Sequence, residues 1–448
     1  MTSFYARAAI LGATFAIAFA SRSASAAPDN NQMPSMPGMD MSGRDMPAMN
    51  MPAMAAMPNM PAMSSSGILG VYPMSRDASG TSWQPDLSSH DGLHLMADDW
   101  MFMLHATIWG IYDTQSGPRG DEKFFPAGMV MGMARRDLGE SDALQFRAML
   151  SPDPLMGRRG YPLLLASGET ADGATALIDR QHPHDLFMEL SGTYSHKFSG
   201  DASAFLYAGY PGEPALGPPA FMHRPSAMDD PQAPITHHWL DSTHITFGVV
   251  TAGFVLKDWK LEVSQFTGRE PDQFRFDFDR PRFDSTAARV SWNPDEHWSL
   301  QASWGHLNSP EQLDPAIDET RYTASAMYAV KWDTQSSFAA TLAWGLKNLS
   351  DREKLNGLLF ETAYKPLDPW TIFGRLEWEE NNELLPGASA IQRVSALSLG
   401  AVHDWRLADH WKFGIGGLYA FDFVPGSLRS AYGGDPHGAM AFMRVVLN

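Results

Sequence analysis

The 448-residue chain has no cysteine. It therefore has no disulfide framework, no thiolate metal site and no cysteine for a lipid anchor, and methionine is its remaining soft ligand. Long apolar runs are scarce too. After residues 8–20, no segment approaches the roughly 18 apolar residues that a spanning helix needs. Positive charge is in short supply: 33 Lys and Arg face 51 Asp and Glu, for a formal charge of −18. That balance argues against a nucleic-acid partner and suits the attraction of cations. No G-x-S-x-G elbow, H-E-x-x-H helix or P-loop occurs, so no enzymatic activity is expected.

What is present falls into three parts. Residues 1–26 read as an export signal, with Arg7, an apolar run and Ala24-Ser25-Ala26 as a small-x-small cleavage site. Residues 27–95 form an arm and linker, expected on the periplasmic side. Eleven methionines stand within the 31 residues from 33 to 63, namely Met33, Met36, Met39, Met41, Met46, Met49, Met51, Met54, Met57, Met60 and Met63. Pro34, Pro37, Pro47, Pro52, Pro58 and Pro61 alternate with them and prevent a helix or ladder from running through. The stretch is expected to be a disordered arm displaying thioethers. Such sulfurs are soft, uncharged ligands for Cu(I) or Ag(I), held weakly at many equivalent sites with none tightly bound.

Residues 96–448 show period-2 alternation in segments of about ten residues. Trp259, Leu261 and Val263 oppose Lys260, Glu262 and Ser264, and Trp370, Ile372, Leu376 and Trp378 oppose Thr371, Arg375, Glu377 and Glu379. About sixteen such segments are expected (12–18), among them 100–112, 124–135, 143–151 and 243–256. Short turns such as 257–258 and 294–296 alternate with long loops such as 152–185, 211–242 and 268–283. Trp259, Trp292, Trp298, Trp332, Phe338, Trp370, Trp405 and Trp411 all flank the short turns, as an interfacial girdle does. The pattern predicts an all-β fold, a transmembrane antiparallel up-and-down barrel with both termini periplasmic.

On these residues the region from 96 to 448 resembles the Gram-negative outer-membrane β-barrel class. The stretch from Gly438 to Asn448 resembles the C-terminal strand read by the barrel-assembly machinery, although it ends in Leu447-Asn448 instead of Phe or Trp. The order of signal, methionine-rich arm and barrel resembles the outer-membrane copper resistance protein B family. That likeness implies an outer-membrane location, lipid as surroundings, metal ions as cargo and periplasmic copper-handling proteins as partners.

Two constellations carry candidate chemistry. Met101, Met103 and His105 share one face of the first strand, and Met129, Met131 and Met133 one face of the second. If Arg135 and His105 mark the lumen, five thioethers line adjacent strands; the alternative is that these methionines fill space or face lipid. His182 and His184 close one long loop, and His237 and His238, followed by His244, close the next, so that the two groups can meet with Asp185 or Asp241 as partners. Structural hydrogen bonding in folded loops is the competing role. The alternating segment 272–280 is expected either to constrict the barrel mouth or to remain a solvated loop. Copper or silver binding, tolerance or export is the leading function. A porin-like diffusion channel with an incidental arm is the alternative, and oxidant scavenging by methionine a third.

Overall fold

Alternation builds the wall. Where every second side chain is apolar and the rest are polar, a strand buries its backbone hydrogen bonds against two neighbours and still presents one apolar face. The computed structural model describes residues 66–89, 92–351, 354–385 and 390–447. The expected export signal, the eleven methionines from 33 to 63, and Asn448 lie outside these.

Sixteen antiparallel strands make the barrel: β1 (Trp100–Gln115), β2 (Glu122–Leu138), β3 (Asp142–Leu150), β4 (Phe187–Lys197), β5 (Ala202–Gly209), β6 (Val249–Leu256), β7 (Trp259–Phe266), β8 (Ser285–Trp292), β9 (Trp298–Leu307), β10 (Glu319–Lys331), β11 (Ser337–Leu349), β12 (Lys354–Leu367), β13 (Trp370–Asn381), β14 (Gln392–Ala408), β15 (Trp411–Phe423) and β16 (His437–Leu447). Each pairs with the next, and β16 returns to β1 over the register Ala106↔Leu447 to Gln115↔Gly438, which closes the ring and leaves no edge. Below that seam the start of β1 pairs with a short strand, Leu93–Ala97. The segment 243–256 is a strand only from Val249 onward; residues 243–248 belong to an inward loop.

Outside, Leu206, Leu261, Val263, Leu342 and Leu399 are each more than half exposed, an apolar belt that water would not tolerate over such an area. The tryptophans flanking the short turns are exposed as well, and Trp259 lies flat on Trp292 with ring centres 5.0 Å apart. Inside, Arg224, Arg289, Arg321 and Lys260 are fully buried. Their charges are matched: Glu361 takes Arg224 at 2.6 Å and Arg375 at 3.2 Å, while Glu262 takes Arg289 at 3.0 Å.

Two segments occupy the lumen. Residues 66–89, grouped with the linker by sequence, lie inside the barrel near the short-turn end. Ile68, Leu69, Tyr72 and Trp83 pack on Ala143, Phe205 and Val255. Ser195 donates to the Ile68 carbonyl at 2.5 Å, Asn293 to the Gln84 carbonyl at 2.9 Å, and Arg289 to the Ser82 hydroxyl at 2.9 Å. From the opposite end, residues 210–248 descend. Ser226 exchanges a 2.6 Å hydrogen bond with Thr341, Thr236 donates to Glu377 at 2.7 Å, and Trp239 lies over Gly345 and Gly357. The two segments meet where Ser82 donates to Glu213 at 2.9 Å and the Ala220 amide donates to Ser79 at 2.9 Å.

Candidate functional site

The side chains of β1 alternate in and out, so Met101, Met103 and His105 are buried in the lumen while Phe102 and Leu104 face outward. Met129, Met133 and Arg135 of β2 turn inward in the same way, with Val130 outward. Register then sets the neighbours. Met101 stands opposite Arg135, Met103 opposite Met133, His105 opposite Met131, and Met131 in turn opposite Met149 of β3. Directly opposed residues have Cβ atoms about 4.5–5.5 Å apart, within reach of a thioether side chain.

This patch is roofed from both sides. Met74 of the inserted segment packs on the Met101, Met103 and Met133 cluster, and His223 and Met228 come down from the loop. They enclose a cavity of about 80 Å³ lined by Met74, Met101, Met103, Met129, Met131, Met133, Met228, His105 and His223. The nearby cations are already engaged, Arg135 by Asp137 at 3.0 Å and the Ser66 carbonyl at 2.5 Å, and Arg147 by Glu189 at 3.4 Å. Burial, with the charges of His105 and Arg147, holds the His223 imidazole down at about 3, so it is neutral at physiological pH. Seven thioethers and two imidazoles thus line the cavity, together with charged and polar side chains that include Asp77, Gln84, Arg135, Gln145 and Arg147.

A second cavity, of about 70 Å³, adjoins the first and shares His105, Met129 and Met228 with it. His182 and His184 line it from the segment after the strand Ala176–Gln181, and the one-turn helix His237–Leu240 and the turn Ser242–His244 hold three more imidazoles beside these two. All five rings are buried. Ring centres lie 5.1 Å apart for His184 and His244, 5.2 Å for His237 and His244, 5.4 Å for His237 and His238, and 5.5 Å for His182 and His238. Burial pushes His182, His237 and His244 down, whereas for His238 the effect of burial is outweighed by the Glu270 carboxylate, which raises it to about 9. His238 is thus an imidazolium paired with Glu270 at 3.2 Å, and not a free ligand.

Met101, Met103, His105, Met129, Met131, Met133, His182 and His184 line one or other cavity, and His237, His238 and His244 stand ring to ring with His182 and His184, so the two histidine loops meet. Met74, Met149, Met222, Met228 and His223 were missed as candidates. Met149 was visible as an inward position, but Met222, His223 and Met228 sit in an aperiodic loop with no local signal. In the segment 272–280 Arg275 is buried and reaches Glu169 and, at 3.1 Å, Asp185, while Phe274, Phe276 and Phe278 are exposed. Among the described residues, Asp272, Asp277 and Asp279 are the one set of three His or carboxylate groups whose ligand atoms lie within 4.8 Å of one another. The imidazoles are spaced more widely.

No family model and no curated protein matches the chain. Solved structures do. OmpF of Salmonella typhi, in a complex with daunomycin, superposes with a TM-score of 0.52 at 10% identity, over 79% of this chain and all of that one. OmpT of Vibrio cholerae gives 0.44 at 8% identity over 80% of this chain and all of that one, and an anion-selective porin from Comamonas acidovorans gives 0.45 at 10% over 78% and 100%. The OmpF likeness shows the fold, and no copper resistance family emerges. The expectation that the chain is not an enzyme is corrected here. It rested on missing motifs, whereas the matches include OmpT beside porins, and likeness at this level assigns neither an activity nor the lack of one. What the chain shares with OmpF is the fold, a closed antiparallel outer-membrane type of barrel, built here from sixteen strands.

Proposed function

We propose that this chain is an outer-membrane barrel that takes Cu(I) or Ag(I) as cargo at the thioether patch of its lumen. The arm between Met33 and Met63 serves as a periplasmic buffer in metal tolerance or export, and both termini face the periplasm. One observation carries the reading: seven methionines, drawn from two strands, the inserted segment and the descending loop, line a single cavity. Bulk alone is supplied as well by Leu or Phe, which occupy equivalent inward positions elsewhere in the wall, as at Phe205 and Leu359. Sulfur is what distinguishes this side of the barrel.

Titration of the full chain in detergent with Ag(I), and with Cu(I) against a chromophoric competitor, tests the reading. Met101→Leu/Met103→Leu/Met133→Leu keeps side-chain volume, so the barrel should persist while the affinity at the lumen falls. Unchanged binding would remove the lumen from the proposal.

A porin-like diffusion channel is the second reading, favoured by the likeness to OmpF. It requires the segments 66–89 and 210–248 to leave space for solute. Planar-bilayer conductance that is steady and indifferent to copper favours it.

A further inference from the structure

A buried imidazole nitrogen without a hydrogen-bond partner has given up its water for nothing in return. The Nε2 atoms of both His184 and His244 are in that position. In each ring the other nitrogen is engaged: His184 Nδ1 lies 2.8 Å from Asp153 Oδ2, and His244 Nδ1 lies 2.7 Å from the Asp241 carbonyl oxygen. His237 repeats the arrangement, with Nδ1 2.8 Å from Asp241 Oδ1. Carboxylates and carbonyls only accept, so in a neutral ring the proton sits on Nδ1 and Nε2 presents a lone pair. Holding Nδ1–H on an oxygen is also how proteins fix the orientation and raise the basicity of a metal-binding histidine.

The three rings are neighbours, with His244 in the middle, and Phe221 lies against them at 5.7–6.3 Å between ring centres, shutting out water. Imidazole is a borderline donor, whereas the methionines next door are soft. The lumen carries both types side by side.

We propose that His184, His237 and His244 bind a borderline divalent cation of the Cu(II) or Zn(II) class through their Nε2 atoms. The ligand nitrogens do not yet lie within 4.8 Å of one another, so the ion draws the three rings together, each pivoting on its Nδ1 contact. Asp153 and Asp241 supply the outer negative charge. This site does not depend on the thioether cavity binding Cu(I) or Ag(I).

Zn(II) titration of the full chain in detergent, read against a chromophoric competitor, tests it together with the electron paramagnetic resonance spectrum of the Cu(II)-loaded protein. One equivalent of Zn(II) and nitrogen hyperfine structure on Cu(II) are expected. His184→Gln and His244→Gln should each weaken Zn(II) binding by at least about tenfold, while leaving Ag(I) binding unchanged. Met101→Leu/Met103→Leu/Met133→Leu should do the reverse. The single variants guard against misfolding of a double one, and the heat-dependent gel shift of a closed barrel confirms each fold. Absence of Zn(II) binding by the parent chain, or binding retained in both folded histidine variants, overturns the proposal whatever the silver titration gives.

Discussion

Met103 of β1 and Met133 of β2 face each other directly across the strand pair, both buried in the lumen. Two substitutions separate their packing role from their sulfur. Met103→Ala empties a buried site and should destabilise the barrel by about 2–5 kcal/mol. Met103→Leu should cost under about 1.5 kcal/mol. Urea unfolding of the two variants in lipid or detergent gives both values. Silver affinity lowered in the Leu variant identifies the sulfur as the functional part.

Arg289 ties the inserted segment to the wall, through the Ser82 hydroxyl at 2.9 Å, the Thr81 hydroxyl at 3.1 Å and the Gly217 carbonyl at 3.0 Å, while pairing with Glu262 at 3.0 Å. Arg289→Ala leaves a buried carboxylate short of a partner and should cost roughly 3–5 kcal/mol. The loss should appear first as faster proteolysis within residues 66–89 and as conductance rising above that of the parent protein in planar bilayers.

Gly345 and Gly357 make room for Trp239. A Cβ on Gly345 would fall 2.2 Å from the Trp239 carbonyl oxygen, and one on Gly357 would fall 2.8 Å from the indole Cγ. Gly345→Ala and Gly357→Ala should each destabilise by about 1–3 kcal/mol and loosen the loop 210–248. Gly132→Ala meets nothing within 4 Å and serves as the neutral comparison. Limited proteolysis of the loop ranks the three.

The His238–Glu270 pair sets a pH dependence. His238 is raised to about 9 from the ordinary imidazole value of 6.5, so its contribution is complete below pH 6.5 and disappears as pH climbs through 9. That difference corresponds to about 3 kcal/mol, shared with Glu270 and counted once. Hydrogen-exchange protection around residues 237–240 should fall between pH 7 and 9.5, and His238→Gln should abolish the fall.

The wall was legible from sequence because lipid outside and charge inside impose a strict alternation, as at Trp259 to Ser264. The lumen contents were not. Arg224 finds Glu361 across 137 positions, and no local period announces such a partner. Residues 66–89 look like a linker because they carry no helix or strand period, and their order comes from wall residues such as Ser195, Arg289 and Asn293. The methionine faces of β1 and β2 could be read, whereas Met222, His223 and Met228 depend on how a loop descends. His244 was assigned to a strand that begins only at Val249, and its pairing with His184 could not be foreseen.

The seam between β1 and β16 joins Ala106 to Leu447, residues from opposite ends of the chain. Contacts of such separation form late, since the intervening polypeptide must lose its freedom before they are made. β1 also carries Met101, Met103 and His105. Those residues lie below the seam, where Leu93–Ala97 and not β16 takes the edge of β1, so a local hairpin shields the sulfur-bearing side of the wall without waiting for the final strand.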